Sequence, residues 1–184
     1  MENVTKQAEA KMKQTVEAVR NEFAGVRTGR ATPTLLDRIR VSYYGTEMPI
    51  NQVANISIPE SRLIVITPWD KAAISPIEKA ILTSDLNLTP MSDGQVVRIT
   101  VPPLTEERRQ ELSRLVQRMA EDGRVAVRNV RRDANHSLDQ MEKKSEISED
   151  ELHRTKQQIQ EVTDDYVAQI DQLMQAKVDE IMEI

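Results

Sequence analysis

The chain has 184 residues, of which 25 are basic and 30 acidic, and its hydrophobic fraction of 39% is enough to bury a core. It has no cysteine and two histidines, which excludes disulfides and thiolate catalysis and argues against a metal centre built on these residues. No apolar run approaches the roughly 18 residues of a membrane span, and the first residues lack a signal-peptide stretch. We therefore expect a soluble, cytoplasmic protein.

A single apolar stripe at helical spacing predicts that the chain starts with a long helix. The apolar residues recur in steps of three and four from Val4 to Val26, which is the period of one helix face. Gly25, Gly29 and Pro33 interrupt the pattern, so the helix is predicted to end between Val26 and Gly29.

Short β-branched runs between turn residues follow from about residue 35 to residue 101. Strands are predicted over 38–44, 52–58, 62–67 and 96–101, because these runs alternate in polarity or are rich in β-branched residues. A helix is predicted from Ser75 to about Ser84, with Ser75 as its cap and Glu78 completing a capping box. Tyr43, Tyr44 and Trp69 also lie in this region, and we expect at least two of them to pack in its core.

Two further long helices are predicted from Thr105 onwards. Thr105 is suited to cap the first, whose apolar stripe continues to about Met141. Ser148 and Glu151 have the spacing of a capping box at the start of the second, which then keeps heptad-like apolar spacing. Because no single helix can bury such a stripe, the three long helices are predicted to form an elongated antiparallel three-helix bundle.

The predicted fold class is α+β, with a small mixed β/α domain inserted into the bundle. Residues 1–29 and 105–184 are assigned to the bundle, and residues 30–104 to the inserted domain. Two short chain crossings would join the domains, and such a pair permits hinge rotation while it prevents the free swing of a single linker. The predicted hinge residues are Thr28, Gly29, Arg30, Ala31, Pro102, Pro103, Leu104 and Thr105.

The charges are unevenly distributed, and the second long helix contains a run of arginines. Residues 148–184 include ten acidic and three basic side chains, whereas residues 123–132 include four arginines and no acid. At about 100° per residue, the apolar side chains of this helix occupy roughly 180–300° from Arg124. The arginines on the other side are Arg109, Arg114, Arg124, Arg128, Arg131 and Arg132.

The simplest interpretation of this stripe is a solvated face with salt bridges along the helix. Lysine would serve solubility equally well, however, and the planar fork of arginine suits phosphate recognition. We therefore predict binding to the backbone phosphates of structured RNA or DNA. Base stacking is not expected, because no aromatic residue lies among the arginines.

No pattern in the sequence indicates catalysis. The five glycines do not have the spacing of a phosphate-binding loop. His136 and His153 lie in polar helical contexts without metal-ligand spacing, so both are expected to be solvated. We expect neither an enzyme nor a bound cofactor or metal.

A series of segments, in the same order along the chain, resembles the ribosome recycling factor family. These segments are Arg27–Ala31, Leu35–Asp37, Val41–Gly45, Ile77–Ile81, Ser84–Leu86, Pro103–Arg109, Arg124–Asp133, Ile147–Asp150 and Asp179–Met182. Together they extend over essentially the whole chain, which makes the resemblance specific. One departure is Asn87, where the family usually has glycine. If that position needs a positive φ, asparagine is the substitute that tolerates it best.

The resemblance implies an L-shaped molecule of two domains that binds the large ribosomal subunit after peptide release. It also implies that the GTPase elongation factor G acts on the hinged smaller domain, after which the subunits separate. The protein itself would need no catalytic residue and no nucleotide. The family's ribosomal-RNA contacts, transferred by position, are Arg109, Arg128 and Arg131, with Arg27 and Arg30 at the hinge end and Arg124 and Arg132 as supports.

Two other functions are weighed against ribosome recycling. A coiled-coil scaffold would bind a partner helix through the heptad-like stripes, and it requires either self-association or a stripe left uncovered in the monomer. A general RNA-binding chaperone would bind naked RNA duplexes equally well and would need no GTPase. We expect a monomer that recycles ribosomes.

Overall fold

The structure is a computed structural model that describes residues 2–183, and it divides into two compact units. One unit is the chain up to Thr28 together with the chain from Thr105 onwards, and the other is Gly29–Leu104. The described residues form four α-helices, which are α1 (Glu2–Ala24), α2 (Ile74–Thr83), α3 (Glu106–Lys143) and α4 (Glu149–Met182). The predicted α+β fold class is confirmed. In the described part of the chain, every helix is too short or too polar to cross a membrane.

The larger unit is a bundle of α1, α3 and α4, each of which contacts the other two. Thr163 of α4 lies against Met12 of α1, and Ile170 lies near Val19. Residue numbers therefore rise together along α1 and α4, which run parallel. Ala8 near the start of α1 shares a core cluster with Leu138 near the end of α3, so α3 runs antiparallel to both. At about 1.5 Å per residue, α3 is roughly 55 Å long.

The caps of α3 and α4 are formed as the sequence predicts. The Thr105 hydroxyl accepts from the Arg108 N–H at 3.2 Å. At the start of α4, the Ser148 hydroxyl accepts from the Glu151 N–H at 3.2 Å, and the Glu151 carboxylate accepts from the Ser148 N–H at 2.8 Å. The bond from the Ser148 backbone holds the pKa of Glu151 below its usual value. Each cap satisfies N–H groups that have no partner within the helix.

Helix α1 ends at Ala24, earlier than the predicted end between Val26 and Gly29. The Gly25 N–H bonds the Glu22 carbonyl at 3.1 Å, and the Val26 N–H bonds the Phe23 carbonyl at 3.1 Å. These tighter bonds close the last turn, because glycine is a poor helix former and contributes no side chain to the core. Arg27 consequently lies beyond the helix.

The bundle core contains the predicted apolar stripes, with one systematic difference on α3. Leu115, predicted to be in the core, is 37% exposed, whereas Ala120 and Gly123 are buried. A Cβ atom added at Gly123 would lie 2.6 Å from the Val19 Cγ2 and 3.3 Å from the Ile170 Cδ1. The absence of a side chain at Gly123 therefore lets all three helices approach closely at this level.

The smaller unit contains six strands in two antiparallel sheets. Strands β1 (Arg40–Tyr43) and β2 (Thr46–Pro49) form a hairpin. The other four, β3 (Ala54–Glu60), β4 (Leu63–Pro68), β5 (Pro90–Ser92) and β6 (Val97–Thr100), form a sheet in the order β3-β4-β6-β5. Helix α2 packs beside them. The fully buried side chains at the centre of this unit include Val41, Ile64, Ile66, Ile77, Ile81, Val97 and Ile99.

The strands agree with the prediction to within a few residues, but β2 and β5 were not predicted. Each is only three or four residues long, too short to show a pattern. The hairpin turn is formed by Tyr44 (φ 49°) and Gly45 (φ 79°), which is the geometry of a type I′ turn. Strand β3 continues through Pro59, because its pairing shifts between Ser57 and Glu60 and it is an edge strand, where proline is tolerated.

The predicted capping box at Ser75 is wrong. Helix α2 begins at Ile74, and a 3₁₀ turn over Lys71–Ala73 precedes it. Asp70 caps this turn, since its Oδ1 accepts from the Ala72 N–H at 3.0 Å. The chain is thus already helical when it reaches Ser75, whose hydroxyl is not needed for an N-terminal cap.

Candidate nucleic-acid interface

Three arginines of the predicted stripe lie close together on α3, and we call Arg128, Arg131 and Arg132 the arginine face. Arg128 and Arg132 are exposed and Arg131 is half-buried. They lie within little more than one helical turn, so their guanidinium groups share one side of α3. Regular helical geometry therefore concentrates positive charge on the bundle surface.

The hydrogen bonds of the arginine face leave most of its charge uncompensated. The Arg131 Nη1 donates to the Gln160 side-chain oxygen at 3.1 Å, and the Arg132 Nη2 donates to the Asn129 side-chain oxygen at 2.8 Å. These amide partners are neutral. Among contacts with residues 2–183, Arg128 alone of the three meets a carboxylate, that of Glu121, at the long distance of 3.5 Å. Such a surface can accept phosphate oxygens without first separating a strong ion pair.

Arg124, which the sequence grouped with these residues, is used within the bundle. Its Nε donates to Asp171 of α4 at 2.7 Å and its Nη1 to Glu121 at 2.6 Å. The side chain is only 16% exposed, against 44% for Arg128. Burial lowers the pKa of Arg124, but the bonds to Asp171 and Glu121 outweigh it and the pKa is raised above its usual value. Arg124 thus links α3 to α4.

The position of the core explains this difference. The buried residues of α3 occupy about 240–320° from Arg124, not the expected 180–300°, because Ala120 and Gly123 replace Leu115. Arg124 therefore lies at the margin of the core, next to α4. Arg109 lies about five helical turns before the buried Val127, so both side chains project from the same face of α3.

Arg109 is accordingly partly buried. Its Nε is enclosed by protein and has no hydrogen-bond partner in the part of the chain that the structure describes. This environment differs from the open stripe position that the sequence predicted. Its role in RNA binding stays a prediction.

Arg27 and Arg30 fall in different units. Arg27 follows α1 and is exposed in the bundle unit, whereas Arg30 is exposed in the smaller unit. Their predicted RNA contacts also stay predictions.

The sequence did not single out Arg118, which is exposed on α3. Together with Arg114 it borders an open depression that also includes Glu111, Gln117 and Glu121. Arg118 was missed because it lies at about 120° from Arg124, outside the stripe. No group of histidine, aspartate and glutamate side chains suited to a metal ion occurs within residues 2–183.

Comparison with known proteins determines the family. A sequence model described as "Ribosome recycling factor" matches residues 19–182, most of the chain. This chain belongs to the ribosome recycling factor family. The ribosome-recycling factor of Carboxydothermus hydrogenoformans is 51% identical over 184 residues and covers all of both chains. That of Halalkalibacterium halodurans is 55% identical over 181 residues, or 98% of each chain.

Two solved structures of ribosome recycling factors are similar to the fold. One is a solution structure of a ribosome recycling factor, 49% identical, with a TM-score of 0.73 over 100% of this chain and 97% of that one. The other is described as models for the T. thermophilus ribosome recycling factor and the E. coli elongation factor G bound to the E. coli post-termination complex. It is 43% identical, with a TM-score of 0.62 over 99% of this chain and 98% of that one. The family resemblance found in the short sequence segments is confirmed.

The departure from the recycling-factor pattern at Asn87 agrees with the backbone geometry. Asn87 has φ 53°, in the left-handed region that glycine and asparagine tolerate best. The condition stated from the sequence, a positive φ at this position, is met.

The aromatic residues of the smaller unit are more exposed than the sequence predicted. Tyr44 is 79% and Trp69 is 70% exposed, and only Tyr43 packs against the core. The expectation that at least two are in the core is wrong. The Tyr43 hydroxyl donates to Asp70 at 2.6 Å, and this bond raises the pKa of Tyr43 to about 12. It also lowers the pKa of Asp70, so the pair fixes the turn end of the hairpin to the 3₁₀ turn before α2.

Because Arg124 is partly buried in an ion pair and Arg128 is exposed, we expect their alanine variants to differ in folding stability. Arg124→Ala should destabilise the bundle by about 1 kcal/mol, because the link from α3 to α4 is lost while Asp171 and Glu121 remain hydrated. Arg128→Ala should leave stability within about 0.5 kcal/mol of the parent. Urea unfolding followed by circular dichroism measures both, and equal stabilities would contradict the structural role of Arg124.

Proposed function

We propose that this protein recycles ribosomes by splitting the post-termination complex into its subunits together with elongation factor G and GTP. In this mechanism the bundle binds ribosomal-RNA phosphates of the large subunit, while the GTPase displaces the smaller unit. The protein contributes no catalytic group and no cofactor, acts as a monomer and works in the cytoplasm. GTP hydrolysis takes place on the partner.

The observation that carries this proposal is the uncompensated charge of the arginine face in a chain of this family. The net charge of the whole chain is −5, which would repel nucleic acid if it were evenly spread. Ten of the 30 acidic residues are concentrated in 148–184, and the neutral partners of Arg131 and Arg132 preserve the local positive charge. Long-range repulsion is screened beyond about 10 Å at ordinary ionic strength, whereas direct phosphate contacts are retained.

The division of the chain into two units supports the mechanical part of the proposal. Each unit has its own buried core, so each can move as a rigid body. The chain passes from one unit to the other between Thr28 and Gly29 and again between Leu104 and Thr105. A force applied to the smaller unit can therefore turn it about the crossings while the bundle stays bound.

The burial of the helical stripes argues against a coiled-coil scaffold. The stripes are already covered within a single chain, because each contains fully buried side chains, such as Met12, Val116, Leu138 and Ile170. The remaining discriminating measurement is the mass in solution, which we expect to be that of one chain.

Subunit splitting of purified post-termination ribosomes tests the proposal. With this protein, elongation factor G and GTP, light scattering should fall as ribosomes dissociate, and omission of any one component should abolish the fall. A non-hydrolysable GTP analogue in place of GTP is the matched control. Dissociation without elongation factor G, or equal binding to ribosomes and naked RNA duplexes, would instead support a general RNA-binding protein.

A further inference from the structure

The end of α4 contacts the first chain crossing through one carboxylate. The Thr28 hydroxyl donates to the Glu180 Oε1 at 2.9 Å, across 152 positions in the sequence. The Lys177 Nζ lies 3.4 Å from the Glu180 Oε2. We propose that Glu180 is a positioning residue, which fixes the first crossing to the bundle and so determines where the proposed hinge turns.

Glu180 is itself held firmly. The adjacent Ile181 is fully buried in the bundle, and the Lys177 side chain is 12% exposed. A partly buried ammonium group requires a nearby anion, so the contact with Lys177 holds the Glu180 carboxylate in place. The second carboxylate oxygen is then available to accept from Thr28. This assigns a role to the Asp179–Met182 segment, which the family resemblance included but the arginine face does not explain.

The crossings are also fixed on the side of the smaller unit. The Ala31 N–H donates to the Ser61 carbonyl at 2.8 Å, and the Val101 N–H donates to the Arg62 carbonyl at 2.8 Å. Ser61 and Arg62 form the turn between β3 and β4. Both crossings therefore enter the smaller unit at the same hairpin turn.

These anchors confine the pivot to a few residues. On the first crossing it lies between Thr28 and Ala31, and on the second between Val101 and Thr105, whose hydroxyl caps α3. Gly29 has φ 76°, and a Cβ atom there would lie 3.1 Å from the Leu104 Cγ. The two crossings thus touch at Gly29 and Leu104, which defines the point about which the smaller unit turns.

The location of the pivot decides which groups move with the bundle. With Thr28 held by Glu180, Arg27 belongs to the same rigid body as the arginine face. If Thr28 were released, the chain would next be fixed at Val26, whose N–H bonds Phe23. Arg27 would then lie inside the moving segment. The inference rests on the hinge of the proposed function, but it concerns the free protein and is testable without ribosomes.

Distance measurements between two spin labels test this assignment. Because the chain has no cysteine, labels can be placed at Lys13→Cys on α1 and Lys79→Cys on α2, both exposed positions. Thr28→Val and Glu180→Ala should each broaden the distance distribution roughly 1.4-fold, because the segment before Ala31 doubles in length and its spread grows as the square root of length.

The controls separate a local effect from general destabilisation. Thr15→Val removes an exposed hydroxyl that bonds only within α1, and Asp179→Ala removes the neighbouring exposed carboxylate. Both should keep the parent distribution. Thermal unfolding should be nearly unchanged in Thr28→Val, so broadening in that variant reports the lost anchor. Parent-like widths in both Thr28→Val and Glu180→Ala would overturn the inference. If instead the variants broaden the distribution but the parent protein fails to split ribosomal subunits, the proposed function alone is overturned.

Discussion

Replacing the arginine face with alanine, in the triple variant Arg128→Ala, Arg131→Ala and Arg132→Ala, is expected to weaken binding to the large ribosomal subunit roughly 100-fold. Each guanidinium is expected to contribute about 1 kcal/mol to phosphate binding at an exposed site, and 1.4 kcal/mol corresponds to tenfold in affinity. Arg131→Ala alone should weaken binding roughly fivefold. The unfolding temperature should change little, because the three side chains bond mainly to exposed amides.

The salt dependence of binding gives an independent check of the same prediction. If the parent neutralises about five phosphates, log affinity should fall against log salt with a slope of about −3 to −5. The triple variant should reduce the magnitude of that slope by about 2 to 3. The matched control is Lys11→Ala, Lys13→Ala and Arg20→Ala on α1, which changes the charge equally but away from the face. An equal loss of affinity in the control would mean that net charge, and not the arginine face, drives binding.

Replacing Gly123 with valine is expected to destabilise the bundle by about 3 kcal/mol. The new Cβ would lie 2.6 Å from the Val19 Cγ2, and valine has little rotamer freedom in a helix with which to move away. Overpacking a core typically costs about 1–3 kcal/mol, and the two added methyl groups place this change at the upper end. For a chain of this length the unfolding temperature should fall by roughly 10 °C.

The distribution of chromophores lets each unit be followed separately. The single tryptophan, Trp69, lies in the smaller unit, whereas α1, α3 and α4 give most of the helical circular dichroism. The helical signal should therefore be lost earlier in Gly123→Val, while the tryptophan transition stays where it is in the parent.

Two further variants locate the effect at the contact with Val19. Adding Val19→Ala should recover at least 1 kcal/mol relative to the sum of the single changes, since contacting residues couple by about 0.5–3 kcal/mol. Gly25→Val, at an exposed position outside the helices, should change stability by less than about 0.5 kcal/mol. A stable Gly123→Val protein would show that the bundle can separate its helices at this level without cost.

The long helices could be predicted from the sequence because local signals determine them. The hydroxyls of Thr105 and Ser148, the acidic residue at Glu151 and the apolar period are all read within a few positions. The exact face of α3 could not be predicted in the same way. Leu115 is more hydrophobic than Ala120 or Gly123, and only the close approach of α1 and α4 makes the small residues the buried ones.

The tertiary contacts of the candidate interface could not be predicted from local sequence either. Periodicity predicted that the arginines share one side of α3, but it could not show which of them a neighbouring helix engages. Asp171 is separated from Arg124 by 47 positions in sequence, and nothing local indicates this pairing. The exposure of Tyr44 has a different, local cause, because a hairpin turn with positive φ directs the residue away from the core whatever its hydrophobicity.

The neutral partners of Arg131 and Arg132 have a consequence for turnover. In the proposed binding, Arg131 would exchange the amide oxygen of Gln160 for a phosphate oxygen, and no anion of the protein would be left without a counter-charge. On release the amide oxygen would again accept a hydrogen bond from the guanidinium, so binding and release would both involve small changes in free energy. A factor that must dissociate from one ribosome before it binds the next benefits from such reversible binding. A strong internal ion pair at the same position would not provide it.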